Sequence, residues 1–108
     1  LQVNEVLFTS SVTRNDTIDM TARGAPSPAT IGIFCVWLIG SSWPAHVVYV
    51  YTQAGFNGGA AHLVAQQGSD KSQALACQFL APIVNGKCYI RNEETSSDSY
   101  DMRLNGWL

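Results

Sequence analysis

Charged residues are scarce in this 108-residue sequence. Lys, Arg, Asp and Glu make up 13% of it, against about 25% in an average soluble protein, and the net charge is −2. Without an excess of positive charge, the chain has no field that attracts phosphate backbones or anionic lipid surfaces. The sequence therefore predicts a protein that does not bind nucleic acid.

Long apolar runs are also missing. The longest covers residues 31–39 and is interrupted by Gly32, whereas a membrane-spanning helix needs about 20 apolar residues. We therefore expect no membrane insertion. The chain begins at Leu1 without a charged and apolar leader, which is typical of a mature secreted protein. Asn15-Asp16-Thr17 is an N-glycosylation sequon, so we predict an extracellular glycoprotein with Asn15 in an exposed loop.

The three cysteines have none of the spacings of a metal site. An odd number leaves at least one thiol unpaired in the monomer. Asn85-Gly86 supplies a turn between Cys77 and Cys88, which predicts a disulfide between those two. Cys35 lies in an apolar run and is expected to be a buried thiol.

Short apolar segments separated by turn residues account for much of the sequence, which is 46% hydrophobic. Segments rich in β-branched and aromatic residues predict strands over residues 3–8, 30–39, 46–52, 61–65, 87–91 and 99–104. Residues 72–80 have a fair helix composition and allow one or two helical turns. Strands at this spacing predict an all-β sandwich, with at most one short helix, as a single domain over residues 1–108.

Residues 46–52 are largely apolar on both faces of the predicted strand. One face would present Val47, Tyr49 and Tyr51, and the other His46 and Val48. This pattern indicates either a central strand that is covered on both sides or one face that binds a partner.

The most specific motif is an aromatic at Tyr51, a second aromatic at Phe56 and a glycine at Gly58. A hairpin that folds back over its own sheet needs two aromatics in contact and a residue with positive φ. The motif resembles the signature of the βγ-crystallin Greek key, a family that includes plant seed antimicrobial and killer-toxin-like proteins. The resemblance implies a small antiparallel Greek-key β-sandwich.

The same resemblance implies a possible weak calcium site. In calcium-binding members a polar box follows the hairpin, and the similar segment here contains Asn92, Glu93, Ser96 and Ser97. Their oxygens are the hard donors that calcium prefers. Glu93 stands where the family has Asn or Asp.

From the resemblance and the composition together, we expect a secreted, non-enzymatic binding protein of effector, toxin, virulence or antimicrobial type. Its partner would be a protein or glycan of a host or competitor. A calcium-binding structural protein is the alternative that the family also offers. The oligomeric state is open.

Two further alternatives come from particular side chains. His46 and His62, with Arg91 and Glu93 or Glu94, are the residue types of a small secreted ribonuclease. A glycan-binding module could use exposed aromatics beside turns, and the candidate surface residues for binding are Trp43, His62 and Trp107. Trp37, within an apolar run, is expected in the core.

Overall fold

The computed structural model describes residues 2–39, 45–56, 60–66, 75–94 and 99–108. These residues form eight β-strands and no helix. The prediction of an all-β chain is confirmed. The strands are β1 (Gln2–Ser10), β2 (Arg14–Asp19), β3 (Ile31–Ile39), β4 (Ala45–Tyr51), β5 (Ala60–Gln66), β6 (Leu75–Pro82), β7 (Lys87–Glu94) and β8 (Ser99–Trp107).

The strands form two antiparallel sheets of four strands each. Sheet A has the order β1-β8-β3-β6, and sheet B has the order β2-β7-β4-β5. The first strand pairs with the last, the second with the seventh, the third with the sixth and the fourth with the fifth. A chain paired in this nested way across two sheets is a jelly roll, which contains two Greek keys. The predicted Greek-key β-sandwich is therefore confirmed.

The hydrophobic core lies between the inner faces of the sheets. Along β8, Tyr100, Met102 and Leu104 are fully buried and alternate with less buried residues, as the period of a strand requires. Phe34 of β3 lies opposite Phe79 of β6, and their rings stack at 5.6 Å. The other buried apolar side chains in the strands include Ile18, Val36, Leu38, Val48, Val50, Ala81, Cys88 and Ile90.

Two strands differ from the expectation. β2 has the sequence RNDTID, with Ile18 as its one apolar residue, and forms an edge of sheet B. β6 occupies most of the segment in which a short helix was allowed, and residues 75–80 are extended and pair with β3. Pairing with a buried strand overrides the helix propensity of Ala, Leu and Gln there. Residues 72–74 lie outside the described part of the chain.

The predicted disulfide between Cys77 and Cys88 is wrong, because all three cysteines are free thiols. The turn at Asn85-Gly86 does exist, and both residues have positive φ, 52° and 77°. It connects β6 of sheet A to β7 of sheet B, however, so Cys77 and Cys88 lie in different sheets and do not face each other across a hairpin. Cys35 is buried, as predicted.

Candidate functional site

The candidate site lies on the outer face of sheet B, where β4 and β7 run side by side. β4 lies between β7 and β5 in sheet B. Its even-numbered residues from 46 to 50 are buried in the core, so Tyr49 and Tyr51 point to the outer face. There Tyr49 is half-buried, and Tyr51 is only 9% exposed. The register with β7 places Arg91 opposite Tyr49 and Tyr89 opposite Tyr51.

Four aromatic rings contact one another in a chain on this face. Tyr49 and Tyr51 stack nearly parallel, with ring centroids 6.2 Å apart and an angle of 11° between the planes. Phe56 meets Tyr51 edge to face at 5.7 Å and Tyr89 edge to face at 6.0 Å. Each such pair contributes about 0.5–1.5 kcal/mol beyond the area it buries, so the rings hold one another in place. We call these four rings, together with Arg91, the aromatic platform.

Polar side chains border the rings on the side of β2. Arg91 donates from Nη1 to Oδ1 of Asn15 at 3.1 Å, and its Nε lies 3.6 Å from Oε2 of Glu93. The side chains of Arg91 and Glu93 are 34% and 36% exposed, so water screens their ion pair and it adds little to stability. Arg91 is therefore positioned beside the rings and is still accessible to a ligand.

The aromatic motif predicted from the sequence is present in part. Tyr51 and Phe56 pack edge to face, as the motif requires. The positive φ is found at Phe56, at 52°, and Gly58 lies outside the described residues. A non-glycine residue in this region costs about 1–3 kcal/mol. The two ring contacts that Phe56 makes offset that cost, which indicates a turn shaped to bring this ring onto the sheet.

The ribonuclease alternative depends on His46, which the structure places in the core. His46 is fully buried, and its Nε2 lies 2.9 Å from Oδ1 of the equally buried Asn92. Arg91 points to the opposite face of the same sheet, so the structure does not bring it together with His46. The side chains of His62 and Glu94 lie outside the described part of the chain.

The predicted calcium ligands are not brought together either. Asn92 and Glu93 are neighbours in β7, so they point to opposite faces: Asn92 into the core, and Glu93 outward toward Arg91. Ser96 and Ser97 lie outside the described residues. Across the residues that the structure does describe, no group of three metal-ligating side chains converges.

The tryptophans are placed differently from the expectation. Trp107 is only 6% exposed and lies in the core, so it does not form a binding surface. Trp37, expected in the core, is 36% exposed on the outer face of sheet A, where the guanidinium of Arg103 lies 4.4 Å from its ring centre. Trp43 lies outside the described residues.

Asn15, the residue of the glycosylation sequon, is exposed but lies in strand β2 and not in a loop. Its side chain accepts the hydrogen bond from Arg91 at the margin of the aromatic platform. Glycosylation of Asn15 stays a prediction, and a glycan there would border the platform.

A cleft of about 520 Å³ opens between the edge strands β1 and β2. Within it Arg14 forms an ion pair with Asp16 at 2.8 Å, and its guanidinium lies 3.8 Å from the ring centre of Phe8. The hydrogen bond to Asp16 raises the pKa of Arg14. Arg23 is similarly paired with Glu5. The charged side chains named here satisfy one another, so the cleft is a weaker candidate than the platform.

No protein-family model matches the sequence, and a search of the curated proteins finds no match. The jelly-roll order occurs in many unrelated families, so it does not test the crystallin resemblance, which stays a prediction. None of the described residues belongs to a helix that is long and apolar enough to cross a membrane.

Proposed function

We propose that this chain is a non-enzymatic binding protein whose partner docks on the aromatic platform. The observation that supports the proposal is the chain of contacting rings, from Tyr49 to Tyr89, beside the half-exposed Arg91. Tyr and Arg dominate binding hot spots because each combines a broad apolar contact with polar tips. Rings that already hold one another in place also lose little freedom when a partner binds.

The shape of the platform favours a protein as partner. Small molecules bind in concave sites, whereas this site is the face of a sheet. Cavities of about 520 and 390 Å³ in the described part of the chain are lined by residues outside the platform. Protein interfaces are enriched in Tyr, Phe and Arg, which are the residue types of the platform. A glycan that stacks on the rings is the alternative that an experiment should distinguish.

The location and the source of the partner are further parts of the proposal. We propose that the protein acts outside the cell, as an effector, toxin or antimicrobial protein, on a protein of a host or competitor. The exposed sequon at Asn15 and the low charge of the chain support this. The crystallin-like motif at Tyr51 and Phe56 supports the antimicrobial or toxin part by resemblance alone.

Two arrays, one of extracellular proteins and one of glycans, would test the proposal. Both would be probed with the wild-type chain and with the variants Tyr49→Ala and Arg91→Ala. Val6→Ala is the matched control, because Val6 of β1 is 51% exposed in sheet A, away from the platform. Thermal melting of each variant would verify that the fold is intact.

We expect a specific signal on the protein array. Either platform substitution should weaken it by about tenfold or more, which is the scale of a hot-spot residue, and Val6→Ala should leave it unchanged. A signal that survives both platform substitutions, or one that Val6→Ala weakens equally, would contradict the proposal that the partner docks on the platform. Binding confined to the glycan array would contradict the protein partner but keep the platform.

A further inference from the structure

Four strands lie at the edges of the two sheets, and an exposed edge can pair with a strand of another molecule. The edges are β1 and β6 in sheet A, and β2 and β5 in sheet B. Natural proteins protect such edges with bulges, charged residues or prolines, because unpaired backbone groups otherwise invite association.

Three of these edge strands are protected. β1 has two bulges in its register with β8, and β5 has one in its register with β4. β2 has no bulge, but Arg14, Asp16 and Asp19 give it three charges in six residues. These are the devices that keep an edge from pairing with another chain.

The edge strand β6 has neither a bulge nor a charged residue. It pairs with β3 over eight consecutive residues without a register shift, and its sequence, LACQFLAP, contains no charge. Its one proline is the last residue, Pro82, which ends the strand and leaves the centre open. Near that centre, Gln78 is exposed and Leu80 is 52% exposed. Of the four edges in the described sheets, β6 is therefore the one open to pairing.

The backbone groups on the open side of β6 can be assigned from the register. Ile83 N donates to Thr30 O at 2.8 Å, so residue 83 bonds toward β3. Bonding direction alternates along an antiparallel strand, so the N–H and C=O groups of Ala76, Gln78 and Leu80 point away from β3. These three residues thus present a backbone donor and acceptor each on the open side, and the carbonyl of Gln78 also accepts a long contact from Sγ of Cys77 at 3.9 Å.

We propose that β6 pairs with β6 of a second copy of this chain, antiparallel and about a two-fold axis at Gln78. In this register Gln78 faces its own copy and Leu80 faces Ala76 of the other chain. The backbone N–H and C=O groups of Ala76, Gln78 and Leu80 in each chain then form hydrogen bonds with the other chain, and no charge is buried. The result is one continuous sheet across the dimer, with an isologous interface. Its two aromatic platforms would allow bivalent binding.

Sedimentation analysis of the full chain, across concentrations up to the millimolar range, tests this dimer. We expect the wild-type chain to dimerise. Gln78→Lys should raise the dissociation constant by about tenfold or more, since two like charges would lie directly opposite each other. Gln78→Glu should do the same for the same reason. Thr9→Lys, an exposed position on the edge strand β1 opposite Asp101, is the matched control and should leave the dimer unchanged.

A mixture of the two Gln78 variants makes the test specific for the register. Gln78→Lys and Gln78→Glu should form a mixed dimer with nearly wild-type affinity, because opposite charges then meet at the axis. Circular dichroism and melting of each variant verify the fold. A wild-type chain that stays monomeric, variants that dimerise as the wild type does, or a mixture that does not recover the dimer would each overturn the proposal.

Discussion

His46 and Asn92 are the two polar side chains buried within the described part of the core. Their 2.9 Å contact gives each a partner, and the ring of His46 also packs on Tyr100 at 4.6 Å. A buried polar group costs free energy unless it is hydrogen-bonded. Each of these two side chains therefore reduces the cost of burying the other. Thus His46, which the sequence offered for catalysis, and Asn92, which it offered for calcium, both serve the interior.

Replacing Asn92 with Ala should lower the free energy of unfolding by about 1–3 kcal/mol, because it removes the acceptor that His46 contacts. Urea denaturation would measure the change. Asn15→Ala is the matched control, since Asn15 is exposed and its loss should cost less than about 0.5 kcal/mol. If both substitutions lowered the free energy of unfolding equally, the stabilising role of the buried His46–Asn92 contact would be contradicted.

The three free thiols should differ in reactivity. Burial raises the pKa of Cys88 to about 12 and also raises that of Cys35, so few thiolates form at pH values near 8. Cys77 is only half-buried. Alkylation of the native chain, followed by mass spectrometry, should modify Cys77 first and the other two only on unfolding. Fast modification of Cys88, or no modification of Cys77, would contradict the structure.

At the scale of elements, the turn between β6 and β7 connects the two sheets. Gly86 has a φ of 77°, and a Cβ there would lie 2.5 Å from Oγ1 of Thr21. Gly86→Ala should therefore lower the free energy of unfolding by about 1–3 kcal/mol, as measured by urea denaturation. Asn85→Gly, which keeps positive φ available, should change it by less than about 0.5 kcal/mol. If both variants lost a similar free energy of unfolding, the requirement for glycine at position 86 would be contradicted.

Two strands that the sequence predicts correctly have a buried apolar face rich in β-branched and aromatic residues. They are β3 and β4. β2 was not predictable in this way, since an edge strand with one core residue has no hydrophobic alternation. β6 has the local composition of a helix, and its extended form depends on β3, which lies about 40 residues earlier in the chain.

At the scale of the whole molecule, nested pairing assembles the candidate site. The contact between Tyr51 and Phe56 is local, and the sequence motif predicts it. Tyr89 and Arg91 come from β7, far along the chain, and only the register between β4 and β7 places them beside Tyr49 and Tyr51. Composition and spacing do not specify that register, so the sequence alone could not place Tyr89 and Arg91 in the platform.

Hydroxyl-radical footprinting of the chain, free and bound to the partner found on the array, tests the platform most directly. Tyr49 and Tyr89 are half-exposed on the outer face of sheet B, and Trp37 is 36% exposed on the outer face of sheet A, so all three should be oxidised in the free chain. Binding at the platform predicts that oxidation of both tyrosines falls several-fold while that of Trp37 stays unchanged. Protection of Trp37 with undiminished oxidation of Tyr49 and Tyr89 would contradict the account.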